Sequence, residues 1–121
     1  TDVCAIYDHD SGEVVVEVRS RACEPWPLDH AVMRAVGAYS REVCLGRPDK
    51  YLLTTASVVC LYEPCMMCAM ALVHSRVRGL LFARPSPHRG GFNSAENLMR
   101  LEVNHRFPVF RAEEEQLYRV D

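Results

Sequence analysis

Two cysteines and one histidine are the residues of this sequence whose types and spacing indicate chemistry most clearly. Cys65 and Cys68 are separated by two residues and follow Pro64, while His30 lies upstream of them. Two thiolates three positions apart at the start of a helix can face one ion, and the positive end of the helix dipole lowers their pKa. A catalytic zinc uses three protein ligands and leaves a position for water, so the predicted metal ligands are His30, Cys65 and Cys68.

A C-x-x-C pair by itself leaves two other interpretations open. It could be a thioredoxin-like redox pair, or two small side chains buried in a core. The surrounding pattern favours zinc, because the cysteines stand between an apolar strand pattern and a helix pattern, and His30 begins an earlier helix. The other histidines are poorer candidates, since His74 lies beyond the cysteine turn and the rest fall in predicted loops: His9, His88 and His105.

The elements that must position these residues follow from the hydrophobic pattern. Residues 1–8 and 13–19 are rich in β-branched side chains and flank a polar turn, which predicts a β-hairpin. After a proline-containing loop, Asp29 is the predicted N-cap of a helix that ends at Gly46 and Pro48. These two elements place His30 at the start of a helix.

A strand, a helix and a second strand follow in close succession. Residues 54–62 form a near-continuous apolar run that predicts a strand covered on both faces, residues 65–74 a buried helix, and residues 77–83 a strand. Short links between them predict a right-handed crossover and a parallel pair, and therefore an α/β fold. Further along, the pattern predicts a surface loop (84–93), a short helix (94–101), a last strand (106–111) and an acidic tail (112–121) that could be helical.

The composition limits the protein class. With 121 residues, 49% hydrophobic and 25% charged, the chain predicts one compact domain, 1–121. A net charge of −2 argues against a free-standing basic nucleic-acid binder. There is no apolar run of membrane-spanning length and no signal pattern at the start, so we expect a soluble intracellular protein with reduced cysteines.

Several motifs together resemble the tRNA adenosine deaminases. They are His30-Ala31 before a helix, the segment from Glu63-Pro64-Cys65 through Cys68 to Arg76, and Asn104-His105-Arg106. The signature of the zinc deaminases is H-x-E followed by P-C-x-x-C, in which a glutamate that does not bind zinc moves protons. Val32 occupies the glutamate position. In this respect the chain is similar to the non-catalytic subunits of the eukaryotic heterodimers that convert adenosine to inosine at the tRNA wobble position.

The resemblance implies a cytidine-deaminase-like, three-layer α/β/α fold with a central mixed sheet of about five strands. It implies a Zn²⁺ cofactor on His30, Cys65 and Cys68, and a structural role for Glu63. It also implies a heterodimer with a catalytic adenosine deaminase subunit, tRNA as the second partner, and a location in nucleus and cytoplasm. Subunits of this kind usually carry an N-terminal RNA-binding region, and we expect none within residues 1–121.

The valine decides between an enzyme and a partner subunit. The water that attacks a purine must lose a proton to a nearby base, and Val32 cannot accept one. A positioned general acid or base raises the reaction rate by about a hundred to ten thousand-fold. An otherwise intact site without one would therefore lose most of its activity. An active nucleoside or base deaminase would need a carboxylate from elsewhere, such as Glu96 or Glu102. A structural zinc module without a deaminase partner would need a fourth ligand and would be a free-standing soluble monomer. In a partner subunit, the short tail ending in Asp121 could fold back and offer a carboxylate at the fourth zinc position.

Arginines near the predicted loops are the candidates for tRNA contact. Only one of the 14 basic residues is a lysine, and guanidinium groups suit bidentate contacts with phosphate. Solvated surface arginines are the alternative interpretation. The candidates are Arg84, Arg89 and Arg106.

Overall fold

The computed structural model describes residues 2–20, 28–45, 52–92, 97–100, 103, 105–113 and 116–119. Its strands are Val3–Asp8 (β1), Glu13–Arg19 (β2), Ala56–Tyr62 (β3), Gly79–Arg84 (β4), Val109–Glu113 (β5) and Gln116–Arg119 (β6). Its α-helices are Ala31–Tyr39 (α1), which continues into a π-helical turn at Ser40–Cys44, and Met66–His74 (α2). A 3₁₀ turn spans Leu98–Arg100.

The strands form one mixed sheet in the order β2-β1-β3-β4-β5-β6. The predicted N-terminal hairpin is confirmed, since β1 pairs antiparallel with both β2 and β3. The predicted parallel pair is also confirmed, because β3 and β4 run parallel on either side of α2 in the chain. β5 is parallel to β4, so the amino ends of these three strands share one edge and their carboxyl ends the other.

The sheet has six strands where about five were expected. The difference is β6, because residues 116–119 pair antiparallel with β5 and form a hairpin where a helical tail was considered. The acidic tail 112–121 that contains this segment has no clear strand pattern. The free edge of β5 offers backbone donors and acceptors, and pairing with them satisfies groups that the local sequence cannot satisfy alone.

The core lies on one face of the sheet. Along β1 and β3 the side chains of Cys4, Ile6, Val58 and Cys60 are buried, whereas Val59 is 40% exposed. Helices α1 and α2 contact each other and pack on the buried face. The expectation that β3 is covered on both faces is therefore wrong at Val59, since the described residues provide one helical layer. The second layer of the three-layer arrangement is not among them.

The start of α1 differs from the sequence prediction. Asp29 was the expected N-cap, but the N-cap residue is His30, which has extended backbone angles and makes no capping hydrogen bond with its side chain. The imidazole instead faces the two cysteines. His30 at the N-cap position therefore points its imidazole toward the two cysteines and does not cap the helix.

The end of α2 contains a residue under backbone strain. Arg76 has φ 59°, and its N–H and that of Val77 donate to the carbonyls of Val73 and Leu72, which is the Schellman pattern. Glycine is the residue that adopts this left-handed conformation without strain. We expect Arg76→Gly to raise the free energy of unfolding by about 0.5–1 kcal/mol.

Ser75→Gly is the matched control, because Ser75 is the adjacent helix cap and has right-handed backbone angles. It should lower stability, and urea unfolding of both variants measures the difference. Equal destabilisation by the two glycines would contradict the strain argument.

In the described part of the chain, no helix combines the length and apolar character that crossing a bilayer requires.

Candidate metal centre

The structure brings the three predicted metal ligands together at the starts of two helices. His30 directly precedes α1, Cys65 directly precedes α2, and Cys68 lies in the first turn of α2. Nδ1 of His30 lies 3.5 Å from Sγ of Cys65 and 3.4 Å from Sγ of Cys68. All three ligand atoms lie within 4.8 Å of one another.

These distances fit a zinc ion. A tetrahedral zinc with bonds of about 2.3 Å to sulfur and 2.0 Å to nitrogen holds its nitrogen and sulfur ligands roughly 3.5 Å apart. The two measured nitrogen–sulfur separations agree with that value. Zinc also prefers imidazole and thiolate among the donors of proteins. The cluster thus has both the donor types and the spacing for this metal.

Two ionised thiols at this cluster need a cation to balance their charge. Burial raises the pKa of the Cys68 thiol, and the neighbouring charge of Cys65 raises it further. The expectation that the helix dipole lowers the pKa of the ligand thiols is therefore wrong at Cys68, where desolvation outweighs the dipole. A bound divalent cation offsets both the burial and the mutual repulsion of two thiolates.

A cavity of about 220 Å³ opens beside the cluster. Val32 lines it from the first turn of α1 and is 1% exposed. Its side chain presents only methyl groups where the deaminase signature places a carboxylate. The wall next to the metal ligands therefore carries no proton acceptor at this position.

Glu63 is a cavity carboxylate, and the backbone holds it firmly. It is 2% exposed, its Oε1 accepts the N–H of Ser86 at 3.1 Å, and its Oε2 accepts the N–H of Phe92 at 3.1 Å. Its carboxylate also contacts the α-carbon face of Gly90 so closely that a β-carbon there would overlap it. The structural role expected for Glu63 is confirmed.

Asp2 is the other carboxylate among the cavity-lining residues that the structure describes. Its Oδ1 accepts the N–H of Val3 at 2.8 Å and that of Tyr62 at 3.2 Å, so it ties the start of β1 to the end of β3. Asp2 was not among the predicted site residues, because a single aspartate at position 2 belongs to no distinguishing local pattern.

The loop after β4 is hydrogen-bonded to the segment that carries Pro64 and Cys65. Gly91 donates its N–H to the Pro64 carbonyl at 2.9 Å, and Gly90 forms an isolated β-bridge with Cys65. The proline- and glycine-rich segment was predicted as a surface loop. In the structure its glycines let the loop backbone approach the start of α2 closely. This loop thereby forms one side of the cavity.

The three candidate RNA-binding arginines are not all at one place. Arg84 lies at the carboxyl end of β4 with its guanidinium 6.0 Å from the centre of the Tyr62 ring, and Arg89 lines the cavity. Arg106 precedes β5, whose Val109 pairs with Leu80 near the start of β4, so its backbone lies at the opposite edge of the sheet. Its Nε donates to the Met99 carbonyl at 3.3 Å.

The remaining candidates lie away from the cluster or outside the described residues. Nε2 of His9 lies 2.7 Å from Ser57 Oγ, and Nε2 of His105 lies 2.7 Å from the Val77 carbonyl oxygen. His74 and His88 are exposed. Outside the described residues are Glu96, Glu102 and Asp121.

The chain is similar to known proteins over most of its length. Residues 2–84 match the family model described as the cytidine and deoxycytidylate deaminase zinc-binding region. The chain belongs to this family. This deaminase-family chain is 38% identical over 115 residues to the tRNA-specific adenosine deaminase subunit tad3 of Schizosaccharomyces pombe, covering 88% of the chain and 36% of the relative. It therefore spans about a third of the length of that relative.

A second relative in sequence and one solved structure are also similar to the chain. The chain is 43% identical over 61 residues to the human "probable inactive tRNA-specific adenosine deaminase-like protein 3", covering 50% of the chain and 17% of that protein. A solved structure from studies of A-to-I editing by tRNA:A34 deaminases superposes with a TM-score of 0.77 at 22% identity, covering 92% of this chain and 82% of the other. The superposition establishes the deaminase fold.

Proposed function

We propose that this chain is a catalytically inactive, zinc-binding partner subunit of a tRNA adenosine deaminase that converts the wobble adenosine to inosine. The observation that carries the proposal is the position of Val32, which lines the cavity beside His30, Cys65 and Cys68. These three residues would hold the zinc. A bound zinc would make a water molecule more acidic, and the released proton would need an acceptor among the residues of the chain.

The described carboxylates of the cavity support an inactive site. Both oxygens of Glu63 accept backbone N–H groups, which fix this side chain in place against the loop after β4. Asp2 is likewise engaged with two backbone N–H groups. Neither occupies the position of Val32, at the start of the helix that carries the histidine ligand.

The role of the chain is then to support a catalytic adenosine deaminase subunit in a heterodimer and to contribute to tRNA binding. The similarity to a tad3 subunit supports the pairing. For tRNA contact, exposed Arg84 and Arg89 lie at the carboxyl edge of the sheet next to the cavity, where two guanidinium groups can reach phosphates. Arg106 is the third, more distant candidate. We place the heterodimer in the nucleus and cytoplasm, with residues 1–121 as its single deaminase-like zinc domain.

The decisive test is inosine formation in a tRNA substrate. We expect no turnover by the zinc-loaded chain alone, and turnover when the catalytic subunit is added at matched concentration. The rate should exceed that of the catalytic subunit alone by at least about a hundred-fold, if each subunit supplies part of a shared substrate site.

Two controls make the outcome specific. The catalytic subunit by itself measures any background, and an adenosine or cytidine assay with the lone chain tests the alternative of an active nucleoside deaminase. Turnover by the pure chain would refute the inactive-subunit proposal. Glu96 and Glu102 would then be the first carboxylates to replace.

A further inference from the structure

Two buried thiols outside the metal cluster face each other across the sheet. Cys4 of β1 and Cys60 of β3 are Cα partners in the antiparallel register, and they are 0% and 3% exposed. Both are free cysteines and both belong to the hydrophobic core on the helix-covered face. Their side chains therefore project from neighbouring strands toward the same side.

The hydrogen-bond pattern shows what kind of pair this is. The N–H of His9 donates to the Thr55 carbonyl at 2.9 Å, which continues the β1–β3 ladder one step beyond the partners Asp8 and Ala56. Hydrogen-bonded and non-hydrogen-bonded pairs alternate along an antiparallel ladder. Cys4 lies five positions from His9, an odd number, so Cys4 and Cys60 form a non-hydrogen-bonded pair.

Pairs of this kind bring side chains closest together. Their Cα atoms lie about 4.5 Å apart, whereas hydrogen-bonded pairs are about 5.5 Å apart. A disulfide requires Cα atoms roughly 4.4–6.8 Å apart with Cβ vectors that converge. The register of β1 on β3 therefore places both thiols within bridging distance without a shift of the backbone.

We infer that Cys4 and Cys60 form a reversible cross-strand disulfide when a peroxide oxidises the protein. One thiolate attacks the O–O bond of hydrogen peroxide and becomes a sulfenic acid, and the leaving hydroxide takes up a proton to give water. The second thiol then attacks the sulfenic sulfur, the S–S bond forms, and a second water leaves. Two thiols lose two electrons and two protons, and one peroxide becomes two waters. A dithiol reductant reverses the reaction by exchange.

The surroundings of the pair make this reaction slow and its consequence local. Burial, followed by the charge of Asp2, raises the pKa of Cys4 to about 12, so little thiolate is present near neutral pH. Reaction therefore depends on transient opening of the β1–β2 hairpin. Once formed, the bond would join β1 to β3 two residues from Asp2 and Tyr62, which line the cavity. It would fix the position of that cavity wall.

The test is peptide mapping of the zinc-loaded chain after exposure to hydrogen peroxide, with free thiols alkylated and without a reductant. We expect a linked peptide pair containing Cys4 and Cys60, a protein lighter by two hydrogen atoms, and a higher melting temperature. Cys60→Val should abolish the link, whereas Cys44→Ser, which removes a thiol elsewhere, should retain it.

The wild-type map decides the question even if Cys60→Val fails to fold. A map in which Cys4 and Cys60 stay alkylated, are oxidised singly to sulfinic acids, or pair with other cysteines would overturn the inference.

Discussion

Replacing Cys68 by serine should release the zinc and lower the melting temperature by at least about 10 °C, which corresponds to roughly 3 kcal/mol or more for a domain of this size. Cys68 is buried in the first turn of α2, and its Sγ lies 3.4 Å from Nδ1 of His30. Serine is a poor zinc ligand at neutral pH, because its hydroxyl does not ionise there. The remaining two ligands cannot hold the ion, and the free energy of metal binding is lost from the folded state.

Cys44→Ser is the matched control for this experiment. Cys44 lies outside the cluster, and its Sγ is 3.5 Å from the Leu52 carbonyl oxygen, a contact that a hydroxyl can reproduce. Zinc content by atomic emission and melting temperature should both stay near wild type in this variant. If the Cys68→Ser variant kept the zinc content of the wild type, the metal would have to be held by other residues.

Glu63→Ala should lower the free energy of unfolding by about 3–5 kcal/mol, because one buried and one partly buried N–H group lose their carboxylate acceptor. The N–H of Phe92 is buried, and that of Ser86 begins the loop that forms one side of the cavity. We expect both amides to exchange hydrogen faster in the variant, while amides of the β1–β2 hairpin stay protected. Chemical denaturation and hydrogen exchange measure the two effects separately.

Two further variants sharpen this prediction. Glu17→Ala removes an exposed glutamate of β2 and should change stability by less than about 0.5 kcal/mol. Gly90→Ala reaches the same contact from the other side, because its methyl group would displace the buried carboxylate. If Glu63→Ala and Gly90→Ala both unfold like wild type, the loop is held by other interactions.

These two experiments concern one structural unit. The segment from Glu63 to Cys68 supplies the two thiols, and the loop after β4 is bound to it through Glu63, Pro64 and Cys65. The metal is expected to stabilise the start of α2, and Glu63 the loop beside it. A chain with Val32 at the glutamate position thus has structural reasons to retain the surrounding motif, since its loss would disorganise the edge of the sheet proposed to face tRNA.

Elements that depend on neighbouring residues were predictable from the sequence. Alternating apolar and polar residues, turn residues and short links are local properties of the sequence. They predict the β1–β2 hairpin, the helix after Pro64 and the parallel strands on either side of that helix. The grouping of His30, Cys65 and Cys68 was predictable for a similar reason. Each of these residues lies at or near the start of α1 or α2, and both helices must pack on the same sheet. Few ways of packing the two helices keep the three residues far apart.

Only the tertiary structure decided the features that depend on distant parts of the chain. The exposure of Val59 reflects which face of the sheet the helices cover, and β6 forms because β5 offers it a free edge. The partners of Glu63 come from residues more than twenty positions away. The sequence by itself determined which residues can bind a metal and which proton acceptor is missing, because side-chain chemistry is carried by residue type. Burial, register and hydrogen-bond partners needed the folded chain, because they are set by contacts between segments far apart in sequence.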